Sequence, residues 1–248
     1  ILVDPWLMPK GAMGCFRDYP MFKVTRDSQL DIPMPMTALP CSEDAVLDGV
    51  DCIILTHIRP DHIDMAGDGT VGATIPKEIP IYAQNEADAT VLRQSGFTTV
   101  AVLDEAGQAF TDTLTVYKTP ALHGTEVPCG DACGFVVKSE GEPTVYVAGD
   151  TIWCEAVAQT IKQYEPDVIV TNACAATLEN HGRLIMDATD VIQVVKAAPQ
   201  ATVIASHMEA VAHAMVDRAT LRKELAAADV LNRVQIPADG EMYNFAKA

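Results

Sequence analysis

The sequence predicts an α+β protein in which sheets are covered by helices. Three observations carry that prediction. Short apolar, β-branched runs alternate with helical stretches from end to end. Paired strands come early and regular strand–helix units late. Hydrophobic residues make up 49 % of the 248, enough for one sizeable core. A chain of this length can bury roughly 70–75 % of its unfolded surface without disulfides or structural metals. No linker, internal repeat or low-complexity segment divides residues 1–248, so a single domain is expected.

In chain order, strands are expected at 1–3, 52–56, 79–83, 99–103, 114–118, 134–137, 144–148, 168–171, 202–205 and 233–236. Each is short, β-branched-rich and bounded by Gly, Pro, Asp or Asn. Asn85 caps a predicted helix through 87–94, which Gly96 stops. Apolar residues at helical spacing mark 152–164, ended by Glu165-Pro166, and 217–228, where Leu221 and Leu225 share a stripe. A fourth helix over 187–197 opens with acidic residues and stops before Pro199. Residues 5–40 are rich in Pro and Met without periodicity, and are expected to form a long loop over the surface. Loops that long in a compact domain are often functional.

The balance of 17 Lys+Arg against 34 Asp+Glu gives a formal net charge of −17. With no basic stretch to neutralise phosphates, nucleic acid and anionic membrane surfaces are not expected as partners. Seven cysteines (Cys15, Cys41, Cys52, Cys129, Cys133, Cys154, Cys174) form no close-spaced framework and read as reduced thiols. Cys129 and Cys133 lack a second pair at zinc-finger spacing. No apolar run approaches the ~18–20 residues of a membrane span, and no signal peptide is visible, so a cytoplasmic protein is expected.

The chemistry concentrates in the six histidines. His57 and His62 crowd the turn after the apolar run Ile53-Ile54-Leu55. The same context recurs where Val116-Tyr117-Lys118 leads to His123-Gly124, where Val145-Tyr146-Val147-Ala148-Gly149 leads to Asp150, and where Val203-Ile204-Ala205-Ser206 leads to His207. Loops at strand ends are where rigid scaffolds present functional groups. Four apolar strands ending in His or Asp suggest convergence on one site. Imidazole with carboxylate suits a borderline divalent metal, Zn or Mn, with Fe as a third choice. Buried, hydrogen-bonded His–Asp pairs are the structural alternative.

Thr56-His57-x-x-x-Asp61-His62, His123-Gly124, Gly149-Asp150-Thr151 and Ser206-His207 together resemble the metallo-β-lactamase-fold superfamily. Leu2-Val3-Asp4-Pro5 and Ala205-Ser206-His207-Met208-Glu209 are similar to its branch of ascorbate-6-phosphate lactonase-like hydrolases. The resemblance implies a four-layer αβ/βα sandwich with a metal site at one edge of its two sheets, and a strand pair before residue 2 that this chain lacks. It also implies one metal position from His57, residue 59 and His123, and a second from Asp61, His62 and His207, with Asp150 bridging.

Residue 59 departs from that pattern. The family places His there and this chain has Arg59, whose guanidinium offers no lone pair. One metal per chain is therefore favoured over two, with the first position weak or empty. Arg59 either anchors a substrate carboxylate or phosphate, or points away and pairs with Asp61 or Asp64. The expected chemistry is hydrolysis of a small-molecule lactone, ester, amide or phosphoester by a metal-activated water, with Asp61 as base and Arg59 stabilising developing charge. An anionic substrate is compatible with the acidic chain because Arg59 supplies local positive charge. Two other readings remain: a catalytically degenerate protein that binds a metabolite or a partner, and a nuclease or phosphodiesterase, which the acidic surface disfavours. A serine-hydrolase elbow and nucleotide-binding glycine motifs are absent. Self-association into a homo-oligomer is left open. Of the remaining candidates, His181 is expected to face solvent, His213 to sit on a helix surface or loop, and Cys174 to pack as a small hydrophobe.

Overall fold

The computed structural model describes residues 1–247. Strands β1 (Leu2–Val3), β2 (Ile53–Ile54), β3 (Ile81–Ala83) and β4 (Val100–Val102) form one sheet in that order, with every neighbouring pair parallel. Then follow β5 (Gln108–Ala109), β6 (Leu114–Pro120), β7 (Cys133–Ser139), β8 (Val145–Val147), β9 (Val168–Asn172), β10 (Thr177–Leu178), β11 (Gly182–Arg183), β12 (Thr202–Ser206) and β13 (Val234–Gln235). Seven of these make a second sheet in the order β13-β12-β9-β8-β7-β6-β5, and β10–β11 is a separate hairpin. Pairing in the large sheet is antiparallel from β5 to β8 and parallel from β8 to β13. The early strands thus pair through crossovers, and the hairpins lie in the middle of the chain.

The described residues also form five α-helices: α1 (Glu43–Leu47), α2 (Glu86–Gln94), α3 (Glu155–Tyr164), α4 (Ala188–Ala197) and α5 (Arg218–Ala227). Side-chain oxygens of Ser42, Asn85, Asp187 and Asp217 accept from backbone N–H groups three residues on, the standard N-cap satisfaction of otherwise orphaned donors. Helix α3 begins three residues later than its periodicity predicts. The backbone before it is committed elsewhere: Ile152 N–H donates to Leu122 O (3.0 Å) and Trp153 N–H to the Asp190 carboxylate (3.0 Å). Among the described residues no helix is long and apolar enough to cross a membrane.

Strand alternation builds the layers. Ile53 and Leu55 face one way and pack with Ala89, Leu92 and Phe97 beneath α2. Ile54, pointing oppositely, meets Val116, Cys133 and Phe135 between the sheets. On the outer face of the large sheet, Val136, Tyr146, Ile169 and Val203 pack with Val157, Val191, Leu221 and Leu225 of α3, α4 and α5. The order helix, sheet, sheet, helices is the sandwich that the motifs imply.

Residues 5–40 form the expected long irregular segment, mostly exposed or half-buried, but part of it turns inward. Leu7, Phe16 and Met34 are buried, and isolated bridges tie Gly14 to Met34 and Val24 to Leu178. Irregular backbone produces no periodic pattern, yet its apolar side chains still seek the core. Gly149, directly before Asp150, sits at φ +67°, and a Cβ there would collide with the Cys133 carbonyl oxygen. Gly149→Ala is expected to destabilise the protein by at least ~2 kcal/mol, as left-handed backbone strain alone costs ~1–3 kcal/mol. Urea unfolding with an unchanged m-value checks this.

Candidate metal centre

Four chain segments deliver the polar side chains to one edge of the sandwich. His57 follows β2, and Asp61 and His62 lie in the turn that leaves it. His123 follows β6, Asp150 follows β8 across Gly149, and His207 follows β12. These strands end at the same edge, so their successors meet. The structure assembles two groups, His57–His123–Asp150 and Asp61–His62–His207, each with donor atoms within 4.8 Å of one another. The groups adjoin: ring centroids are 4.1 Å apart for His57–His62 and 5.2 Å for both His57–His123 and His62–His207.

Asp150 lies between the groups. Its Oδ2 is 3.2 Å from His62 Nε2, 3.9 Å from His57 Nε2 and 3.7 Å from His123 Nδ1. Asn172, at the end of β9, donates to the other oxygen at 2.6 Å and fixes the carboxylate plane. Asp61 Oδ2 is 3.8 Å from His207 Nε2. His57 Nε2 and His207 Nε2 are both buried without a hydrogen-bond partner. Such orphaned atoms are rare in protein interiors, and each faces a carboxylate oxygen of its own group at 3.8–3.9 Å, too far for a hydrogen bond and suited to a cation between them.

Sequence reasoning missed the residues that orient these imidazoles. Asp4 accepts from Thr56 N–H (2.7 Å), from Thr56 Oγ1 (2.7 Å) and from His62 Nδ1 (2.8 Å). With its one proton given to Asp4, the Thr56 hydroxyl accepts from His57 Nδ1–H at 3.1 Å, which leaves His57 Nε2 with its lone pair. Asp4 adopts φ +45° and His207 φ +59°, strained conformations of the kind that cluster at functional sites. A signal for Asp4 was available: it follows an apolar strand, as Asp150 does.

Electrostatics assign charges within the cluster. Burial disfavours a charged Asp150, but the surrounding imidazoles, His62 foremost, hold its carboxyl well below the usual range. Burial likewise opposes charge on His62, yet the Asp150 and Asp4 carboxylates hold it well above the ordinary value. His57 and His123 are pushed down, chiefly by burial, and stay neutral. Asp61 is lowered despite burial, through His62 and His207.

Arg59 is half-buried beside this cluster. It donates to the carbonyls of Ile58 (3.2 Å) and Cys129, and forms no ion pair with Asp61 or Asp64 among the described residues. Its Nε is buried without a partner, and its charge helps depress both His57 and His123. Asp64 instead accepts from Leu7 N–H and Thr74 Oγ1.

A small cavity opens beside Asp61, His123 and Asp150. Its outer wall is apolar, with Met13, Phe16, Phe22 and Met34 contributed by the 5–40 segment. His213 lines it too: it lies in a turn, in line with the loop alternative, but is buried rather than at the surface, at 7 % exposed. The turn that carries it folds inward, since Met36 N–H donates to Ala210 O and Thr177 N–H to His213 O. The run Ala210-Val211-Ala212-His213-Ala214 was the available sign, a lone polar residue in an apolar stretch. Burial pushes its imidazole down to about 4. His181 lies apart from the cluster, bonded to Val127 O at 2.9 Å. Cys174 is buried as expected, with Sγ 3.8 Å from His207 Nδ1.

Comparison with known proteins agrees with this geometry. The model of the beta-lactamase superfamily domain matches residues 1–208. The UPF0173 protein YddR of Bacillus subtilis is 36 % identical over 248 residues, covering 98 % of this chain and 92 % of that protein. A UPF0173 metal-dependent hydrolase of Methanosphaerula palustris is 32 % identical over 145 residues, 55 % of this chain and 58 % of that one. The crystal structure of isothiocyanate hydrolase from Delia radicum gut bacteria superposes with a TM-score of 0.88 at 35 % identity, covering 98 % of this chain and 92 % of that one. Fold, clustered donors and relatives agree: the chain belongs to the beta-lactamase superfamily, among the UPF0173 metal-dependent hydrolases.

Proposed function

We propose that the chain hydrolyses a small uncharged electrophile carrying an apolar group, with isothiocyanates as the leading class, and uses a divalent ion held by the clustered side chains. The observation that carries this reading is the pair of buried, unpartnered nitrogens, His57 Nε2 and His207 Nε2, one in each donor group. His57, His123 and Asp150 would hold one position and Asp61, His62 and His207 the other, with Asp150 shared; His62 would give up its Nε2 proton on binding the ion, keeping the Nδ1 bond to Asp4. Zn or Mn suits this donor set, with Fe as the remaining candidate. When bound, the ion lowers the pKa of water toward neutrality and polarises the substrate.

The chain's own residues do the rest. Asp4 and Thr56 fix the His62 and His57 rings, and Asn172 fixes Asp150. Asp61 stands at the cavity wall, where it can take a proton from the attacking water. Arg59, free of any carboxylate partner, is placed to stabilise negative charge developing on the substrate. Its charge also opposes a cation at the His57–His123 position, so one tightly held ion is favoured over two.

The apolar outer wall favours an uncharged substituent over the anionic one that Arg59 alone would suggest, and the similarity to an isothiocyanate hydrolase names a matching electrophile. Water would add across the C=N bond of R–N=C=S. Its oxygen bonds to carbon, the C=N π pair moves to nitrogen and takes one water proton, and the other proton stays on oxygen, giving R–NH–C(=S)–OH. That acid then breaks its C–N bond, the bonding pair staying on nitrogen and the O–H proton passing to it, so that the amine and carbonyl sulfide leave. The lactonase reading remains as a comparison class for the assay. Seven free thiols support a reducing, cytoplasmic setting.

The test is a panel of alkyl and benzyl isothiocyanates, lactones and phosphodiesters, with metal counted per chain. Turnover of isothiocyanates that a chelator abolishes and Zn or Mn restores is the expected result. Turnover that is insensitive to chelation, or confined to phosphodiesters, would overturn it.

A further inference from the structure

We propose that His213 is the substrate-contacting residue of the cavity, hydrogen bonding a heteroatom of the substrate whose apolar group lies against Phe16, Phe22 and Met34. This rests on the reading of the site as one for an uncharged electrophile. His213 belongs to neither donor group, so the metal chemistry does not account for it. Its Nδ1 is buried with no hydrogen-bond partner among the described residues, and His213 lines the cavity together with Asp61 and Asp150. A buried polar atom without a partner is a standing cost unless something outside the chain satisfies it.

The ring is held, not free to seek a partner. Phe16 meets it edge-on, with centroids 5.2 Å apart and planes at 86°. Its backbone is pinned on both sides, through Thr177 N–H to His213 O (3.1 Å) and through Met215 N–H to Cys174 O (2.9 Å). Burial keeps the imidazole neutral near pH 7, so it presents one N–H and one lone pair. In a wall otherwise built largely of Met, Phe and Leu, that neutral pair of functions orients a substrate without demanding that it be charged. Phe16 thus has two tasks: it locks the imidazole and supplies apolar surface beside it.

The experiment compares wild type with His213→Leu, which keeps volume but no hydrogen bond, and His213→Gln, which keeps an uncharged donor and acceptor. The probe is benzylthiourea, an uncharged thiocarbonyl compound, titrated calorimetrically into the metal-containing protein. Metal content, thermal unfolding and benzyl isothiocyanate kinetics are measured alongside. His213→Leu is expected to keep its metal, to bind the probe at least tenfold more weakly and to lose at least tenfold in kcat/KM, mostly through KM. His213→Gln should recover most of both losses. The inference is overturned if wild type does not bind the probe at millimolar concentration, or if His213→Leu binds it as wild type does. It is equally overturned if His213→Leu loses its metal, or if a folded His213→Gln behaves like the leucine variant. Failure of wild type to turn over any isothiocyanate sinks the proposed reaction, while the probe affinities still decide the role of His213.

Discussion

Asp150→Ala is expected to leave the protein with less than about a tenth of its metal and to reduce hydrolysis by ~1,000-fold, about 4 kcal/mol of transition-state stabilisation. Asp150 is the side chain shared between the donor groups, within 3.9 Å of His57, His62 and His123. Removing an outer hydrogen-bond partner of a metal ligand typically costs ~10–100-fold in affinity, and a carboxylate shared by both positions should cost more. The substitution also removes the negative charge that faces three buried imidazoles, so His62 loses one of the two carboxylates that favour its proton. Asp150→Asn separates these effects. It is nearly isosteric and leaves an oxygen for Asn172, so it should fold like wild type yet still lose most of its metal. Metal analysis after gel filtration, with thermal unfolding as the control, distinguishes loss of the ion from loss of the fold. Retention of a full metal complement by the alanine variant would show that the ion binds elsewhere.

How much was legible follows from which signals are local. The caps at Asn85, Asp187 and Asp217 are short-range chemistry, and each accepts the bond its residue type predicts. The clustering of His57, His123, Asp150 and His207 was legible because each follows an apolar strand, and parallel strand directions carry such successors to one edge. Helix α1, at five residues, is too short to show a period, and β5, β10 and β11 are two-residue ladders that pairing alone defines. The 5–40 segment illustrates a different limit. Phe16 and Met34 are buried by tertiary packing, which leaves no periodic trace in sequence. The burial of His213 was missed for the same reason: its setting depends on Phe16 and Met36, nearly two hundred residues away in the chain. Asp4 was visible as a motif, but its task emerges only when Thr56 and His62 arrive beside it.

Arg59→His is expected to raise the metal count from one to two per chain. The imidazole would supply the lone pair that guanidinium lacks and remove a fixed positive charge next to His57 and His123. Those two effects need separating, and Arg59→Met does so by removing the charge without adding a donor. If repulsion alone weakens the first position, the methionine variant should also gain a second ion; if the missing ligand matters more, only the histidine variant should. Either change costs the hydrogen bonds to the Ile58 and Cys129 carbonyls, so both variants share that loss and it cancels from the comparison. Activity supplies an independent axis. Should Arg59 stabilise charge developing on the substrate, both variants lose kcat, by ~10²–10³-fold if it matches an oxyanion donor in strength, even as the histidine variant gains metal. A histidine variant that gained metal and activity together would instead identify Arg59 as a substitution that weakens the site. Wild type that already holds two ions tightly would remove the premise, because three donors and a neighbouring guanidinium would then suffice for the first position.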